Sequence, residues 1–153
     1  MSREKPLILV VDDQATIIRI MSNMLQPTYD VCVATGGEMC VQVAKNQQPD
    51  LILLDNVMPG MTGVEACMLL KEDEDTKNIP VIFVTSMDDK HNESVGFSVG
   101  AVDYINKPPS PEIVMARVKV HLQNNQLRRF VEAVGAGELE GDTAKEKAAK
   151  LLK

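Results

Sequence analysis

Three aspartates, a threonine and a lysine stand at the ends of apolar runs in this chain. Asp12-Asp13 follow residues 7–11, Asp55 follows residues 51–54, Thr85-Ser86 follow residues 81–84, and Lys107-Pro108 close the stretch that begins at Val102. An aspartate after a strand is ordinarily a helix cap or turn former, so each one alone says little. Three carboxylates converging on one crevice are different, because their repulsion raises one or more pKa values unless a cation sits among them. Carboxylate oxygens with a backbone carbonyl and water suit Mg²⁺, which keeps several of its waters. Lys107 adds a positive charge at the same rim, about 4 kcal/mol for one charge pair at ~4 Å and an effective dielectric of ~20, before desolvation. Its bond to Pro108 is of the one type for which cis is accessible, and a cis bond there would aim the ammonium inward. Thr85 offers a hydroxyl donor. A metal, an ammonium and a hydroxyl around a carboxylate describe a site for a phosphoryl group, with the aspartate as nucleophile and an acyl phosphate as product.

The elements that must position these groups are legible around them. Residues 7–11, 31–34, 51–54 and 81–84 are rich in Val, Ile and Leu without polar alternation, the pattern of strands buried on both faces; residues 102–105 are a weaker fifth run. Between them the apolar residues take helical spacing. Ile17, Ile18, Met21, Met24 and Leu25 end at Pro27, and Met39, Val43 and Ala44 end before Pro49. Val64, Cys67, Met68 and Leu70 follow Gly63, and Val95 and Val99, with Phe97 on a neighbouring face, end at Gly100. Ile113, Ala116, Val120 and Leu127 follow Pro111. Strand and helix alternate five times, which predicts an α/β fold: a doubly wound five-stranded parallel sheet, flavodoxin-like, with helices on both faces. In the order 2-1-3-4-5 the switch point lies between strands one and three, at whose carboxyl ends the three aspartates stand.

The fifth helical pattern runs on through Leu127, Val131 and Val134 to the breaker cluster Gly135-Ala136-Gly137. Beyond it, Thr143-Ala144-Lys145-Glu146 fits a capping box before a short terminal helix. The expected organisation is one domain over residues 1–125 and a helical extension over 126–153.

Length and composition agree with one ordinary globular unit: 153 residues, 44% hydrophobic and 25% charged. A formal net charge of −6 disfavours broad binding to a phosphate backbone, and 3% aromatics without Trp disfavour base stacking. No segment approaches the ~18 apolar residues of a membrane span, and the apolar run near the N-terminus is too short for a secretory signal. Cys32, Cys40 and Cys67 are odd in number and hold no C-x-x-C pair, so they are expected to be reduced and mostly buried, in a cytoplasmic protein. His91 and His121 are expected on the solvent side, the nine methionines as core filler, and Arg117, Lys119, Arg128 and Arg129 as a solvated helix face or a partner contact. A phosphate-binding G-x-x-x-x-G-K-[ST] loop is absent, and Asp12-Asp13-Gln14-Ala15 stand where a dinucleotide fold has glycines. A haloacid-dehalogenase-type phosphatase is the enzyme alternative, but it uses a spaced D-x-D after strand one, where this chain has adjacent aspartates.

Four stretches together resemble the receiver domain of two-component response regulators. They are Leu7-Ile8-Leu9-Val10-Val11-Asp12-Asp13; Leu51-Ile52-Leu53-Leu54-Asp55 followed by Asn56-Val57-Met58-Pro59-Gly60 and Gly63; Val81-Ile82-Phe83-Val84-Thr85-Ser86; and Gly100-Ala101-Val102-Asp103-Tyr104-Ile105-Asn106-Lys107-Pro108. The resemblance covers about residues 6–125. It implies that Asp55 accepts a phosphoryl group from the phosphohistidine of a sensor histidine kinase or a phosphotransfer protein. It implies further that Asp13 and Asp55 ligate Mg²⁺ directly, that Asp12 acts mainly through water, and that the Val57 carbonyl completes the protein ligands. Thr85 and Lys107 would grip the phosphoryl oxygens, and Tyr104 would be a switch aromatic coupled to Thr85. Output would run through the face of the fourth helix, fifth strand and fifth helix. Val57 and Met87 occupy positions that tune phosphoryl lifetime in the family, and both are apolar here.

A helix-turn-helix effector needs roughly 60 residues, more than follow residue 125, so no direct DNA binding is expected. The resemblance leaves three arrangements open: a receiver signalling by protein contact, a phosphorelay intermediate, and a receiver followed by a fused effector domain, the last slightly favoured. The stretch from Ile113 to Arg129 is similar to receivers that precede cyclic-dinucleotide enzymes or histidine kinase modules. A homodimer through the output face or the C-terminal helix is a further expectation. No enzymatic turnover is expected beyond the domain's own phosphorylation and dephosphorylation.

Overall fold

The structure is a computed structural model that describes residues 4–86 and 98–135. Its elements are β1 (Leu7–Val11), α1 (Ala15–Leu25), β2 (Asp30–Ala34), α2 (Gly37–Gln47), β3 (Leu51–Leu54), α3 (Gly63–Glu72), β4 (Val81–Ser86), β5 (Asp103–Lys107) and α4 (Pro111–Gly135). All strand pairs are parallel, in the order β2-β1-β3-β4-β5. This is the expected doubly wound, flavodoxin-like sheet. Here α4 is the fifth helix expected from the sequence. The fourth, with Val95 and Phe97, lies outside the described residues, as do His91, Met87 and the proposed capping box at Thr143.

Alternate residues of a strand face opposite sides of the sheet, and the two cores divide accordingly. Leu9, Val11, Ile52, Leu54, Val81 and Phe83 pack with Cys40 and Ala44 of α2 and Ala66, Cys67 and Leu70 of α3. Ile8, Val10, Leu51, Leu53, Ile82, Val84 and Ile105 pack on the other side with Met21 and Leu25 of α1 and Val114, Val118 and Leu122 of α4. A strand covered on both faces has no need of polar alternation, which is why β1, β3 and β4 read as continuous apolar runs. Each fully buried Leu or Ile contributes roughly 1.5–3 kcal/mol relative to an exposed one.

Several expectations need correction. β2 is an edge strand and only Ala34 in it is fully buried, so its apolar run does not mark a strand covered on both faces. Met39 and Met68 are exposed rather than core filler. His121 is not on the solvent side: its Nε2 lies 2.8 Å from Asp103 Oδ2, so the ring ties α4 to β5. Arg128 is not simply solvated either, since it donates to both the side chain and the carbonyl of Asn78 at 3.0 Å. Most consequentially, the residues that mark the last helix in the sequence are not the ones it buries. Val114, Val118, Leu122 and Asn125 face the domain, while Ile113, Val120 and Leu127 are exposed.

Candidate phosphoacceptor site

The reversal of strand order puts a crevice beyond the carboxyl ends of β1 and β3. Backbone bonds carry the sheet ladder one residue past each strand: the Asp12 amide donates to the Ala34 carbonyl at 3.2 Å and the Asp55 amide to the Val11 carbonyl at 3.0 Å. Both aspartates are thereby held by the sheet itself, and both are buried. Asp12 Oδ1 accepts from the Gln14 amide at 2.9 Å, which fixes the carboxylate at the start of α1. Asp13 is exposed, yet carboxylate oxygens of Asp12, Asp13 and Asp55 lie within 4.8 Å of one another.

Lys107, the last residue of β5, reaches into this group. Its Nζ is 2.8 Å from Asp12 Oδ2 and 3.2 Å from Asp55 Oδ1. The Lys107–Pro108 bond is cis, as expected. Burial and the neighbouring Asp12 carboxylate push the Asp55 carboxyl up to about 6, against the opposing pull of the Lys107 ammonium and the Val57 amide. Burial works against the charge on Lys107, but hydrogen bonds and charges from Asp12 and Asp55 outweigh it and raise its pKa. Three carboxylates facing one ammonium leave an excess of two negative charges when all are ionised. The donor set is made of oxygen alone, the kind that suits a hard divalent cation.

Thr85 is buried near the end of β4 and pairs in register with Asn106 of β5. Tyr104 is turned inward, only 8% exposed, and stacks on Phe83 with ring centroids 5.5 Å apart. Val57 leaves its side chain in solvent, 66% exposed.

Two supporting residues carry more than the sequence suggested. Asn56 is buried; its Oδ1 accepts from the Val64 amide at 3.0 Å and its carbonyl from the Gly63 amide at 2.9 Å. These bonds fasten the loop after Asp55 to the start of α3. Gly63 permits the approach, since a Cβ there would stand 2.3 Å from the Asp55 carbonyl oxygen. The helix start is locked by a reciprocal capping box between Thr62 and Glu65. The T-x-x-E spacing was available in the sequence as a signal for it.

Comparison with known proteins agrees with this geometry. The family described as response regulator receiver domain matches residues 8–119. Over 119 residues, 78% of this chain, the sequence is 40% identical to a probable cyclic di-GMP phosphodiesterase of Vibrio cholerae, of which it covers 27%. Over 135 residues, 88% of the chain, it is 35% identical to the alkaline phosphatase synthesis transcriptional regulatory protein PhoP of Bacillus subtilis, of which it covers 55%. The chain thus spans about half or less of the length of these relatives. Among solved structures, a putative response regulator from Chloroflexus aurantiacus superposes with a TM-score of 0.75 at 31% identity, covering 78% of this chain and 98% of the other. The chemotaxis protein CheY4 of Vibrio cholerae gives 0.71 at 28% identity, covering 75% and 97%.

Proposed function

Because this chain belongs to the response regulator receiver domain family, we propose that it takes a phosphoryl group onto Asp55 from a histidine kinase or phosphotransfer protein. The observation that carries the proposal is the Lys107 ammonium held between Asp12 and Asp55. It neutralises a buried nucleophile before reaction and stands where phosphoryl oxygens would arrive. An Asp55 oxygen forms a bond to phosphorus while the phosphorus–nitrogen bond of the phosphohistidine breaks, and the imidazole leaves with its electron pair. Thr85 donates its hydroxyl to one phosphoryl oxygen and Lys107 its ammonium to another.

Asp13, Asp55 and the Val57 carbonyl would hold Mg²⁺, with Asp12 acting through water. The bound ion would supply charge neutralisation for the transferring group. Asp12 has a second task that needs no metal: it anchors Lys107 at 2.8 Å.

Phosphorylation adds charge and strong acceptors at one point, which can bias a two-state element. Movement of Thr85 toward the phosphoryl group would free space for Tyr104 to hold its inward position. The output is then carried to a partner protein or a downstream domain by the face that β5 and α4 form with the fourth helix expected from the sequence, which lies outside the described residues. The proposed boundary sets the receiver at residues 1–125 and an extension at 126–153, of which the part beyond Gly135 lies outside the described residues; the placement of Asn125 as the last buried residue of α4 supports that boundary. The setting is cytoplasmic and the chain makes no DNA contact of its own, in keeping with its net charge of −6. No described helix is long and apolar enough to cross a membrane.

Incubation of the chain with acetyl phosphate or phosphoramidate and Mg²⁺, followed by intact mass measurement, tests the proposal. A single stoichiometric phosphoryl addition supports it. Multiple turnover of phosphate esters without a stoichiometric adduct would favour a phosphatase.

A further inference from the structure

Lys45, Lys77, Lys107, Arg117 and Arg129 each pair with a carboxylate. Lys71 and Arg128 do not: among the described residues, every acceptor they meet is a neutral oxygen. Lys71 Nζ donates to the carbonyls of Lys77 at 3.1 Å and Ile79 at 2.7 Å. Arg128 donates to the side chain and the carbonyl of Asn78, each at 3.0 Å, and to Asn125 Oδ1. Such contacts orient the two groups but leave their charges uncompensated. Lys71 is half-buried. Burial lowers its pKa most, and the Arg128 charge adds to the fall against the pull of Cys67. Two cations thus lie in each other's field with no anion between them.

Both line one cleft of about 410 Å³, set between the end of α3, the residues that lead into β4 and β5, and the second half of α4. No acidic residue lines it, and Pro80 and Val102 give it an apolar wall. It lies at the amino ends of β4 and β5, whereas Asp55 stands past the carboxyl end of β3, so the two sites are separate. Small-molecule sites span roughly 300–1,000 Å³, a range that this cleft enters and a lone phosphate ion would not fill. The Lys71 stem is held in place by the backbone beside it, since a Cβ at Gly100 would stand 3.1 Å from its Cγ. An ammonium and a guanidinium have more N–H donors than these two give to the protein, so donors remain on each for a ligand.

We propose that this cleft binds a phosphate monoester of nucleotide size. The phosphate dianion takes the remaining donors of Lys71 and Arg128 in charge-assisted hydrogen bonds, for which a fixed guanidinium is well shaped. The organic part of the ligand rests on Pro80 and Val102. The dianion supplies the charge that the pair lacks, and the held side chains lose little freedom on binding. The proposal goes beyond the phosphotransfer reading and does not depend on it.

Titration of the full chain with adenosine 5′-monophosphate, followed by amide NMR, tests it. Chelator is present throughout, so that no divalent ion serves the aspartate crevice. Saturable shifts should gather at residues 77–80, 101–103 and 121–128. Adenosine and inorganic phosphate should each bind at least about tenfold more weakly than the monophosphate. Arg128→Gln should weaken binding by about tenfold or more. Asn124 lines the cleft and is exposed, so Asn124→Asp places a repelling carboxylate there without touching the core. It should weaken binding while leaving the circular dichroism unchanged, and Asp55→Asn should bind as the wild type does. Absence of a saturable response at millimolar concentrations would overturn the inference. So would shifts gathered at Asp12, Asp13 and Asp55, adenosine or inorganic phosphate binding as tightly as the monophosphate, or a folded Arg128→Gln or Asn124→Asp that binds like the wild type.

Discussion

Lys107 Nζ and Asp12 Oδ2 are 2.8 Å apart, joining the last residue of β5 to the first residue after β1 across the mouth of the sheet. The pair closes the switch-point crevice, and its ammonium also touches Asp55 at 3.2 Å. It therefore serves both as a structural tie and as the counter-charge of the proposed nucleophile.

Removing that counter-charge should be costly. Lys107→Met leaves Asp12 and Asp55 facing each other with little water, and loss of one partner of a largely buried pair costs about 2–4 kcal/mol. Urea denaturation at pH 7.5 should show the loss in metal-free protein and a partial recovery on adding Mg²⁺.

The raised Asp55 pKa has a defined sign. The ordinary value is 3.8 and the folded value about 6. Well below pH 3.8 the group is protonated in both states and contributes nothing. Between those values the folded chain retains a proton that the unfolded chain has lost, so this group's contribution to stability falls as pH rises. Above the folded value the cost levels off at about 3 kcal/mol in metal-free protein. Asp55→Asn should consequently stabilise the metal-free chain by about 1–3 kcal/mol at pH 7.5 and hardly at all at pH 4. Thermal melts in the presence of chelator at the two pH values provide the comparison.

The tight approach at Gly63 should not tolerate even one methyl group. Gly63→Ala would force the Asp55 carbonyl away from the start of α3, at a cost of about 1–3 kcal/mol, and slow phosphorylation by displacing the acceptor loop. Gly36 has nothing within 4 Å of its virtual Cβ, so Gly36→Ala should cost less than about 1 kcal/mol and leave phosphorylation unchanged. Denaturation midpoints and phosphorylation rates of the two variants form the test.

Phosphoryl lifetime should respond to polarity at the acceptor rim. The exposed Val57 side chain offers no group to orient an attacking water. Val57→Asn should shorten the half-life of the phosphorylated form by up to about tenfold, equivalent to about 1.4 kcal/mol of barrier. Met87→Asn, outside the described residues, should act in the same direction. An autodephosphorylation time course measures both.

The sheet and the aspartate cluster were legible in the sequence for one physical reason. Strands covered on both faces must be apolar throughout, so polar residues stand out where those strands end. β2 misled because an edge strand can carry the same apolar letters while packing one side only. The orientation of α4 was not legible, because a helix apolar at both 113/120/127 and 114/118/122 gives no single stripe, and only the packed structure shows which one meets the sheet. The His121–Asp103 contact joins residues 18 apart on different elements, a pairing that neither helical nor strand periodicity encodes. The support given by Asn56 and Gly63 was hidden because every contact in it has a backbone group on at least one side: the Val64 amide on Asn56 Oδ1, the Gly63 amide on the Asn56 carbonyl, and the Asp55 carbonyl against Gly63.

The central claim is that Asp55 carries the phosphoryl group. The most direct measurement is to label the chain with a small phosphodonor and Mg²⁺, reduce the acyl phosphate chemically, and map the modified residue by peptide mass spectrometry. The account predicts one modification, on Asp55, absent from Asp55→Asn and abolished by chelator. A stoichiometric modification mapping to another residue, or persisting in Asp55→Asn, would contradict it.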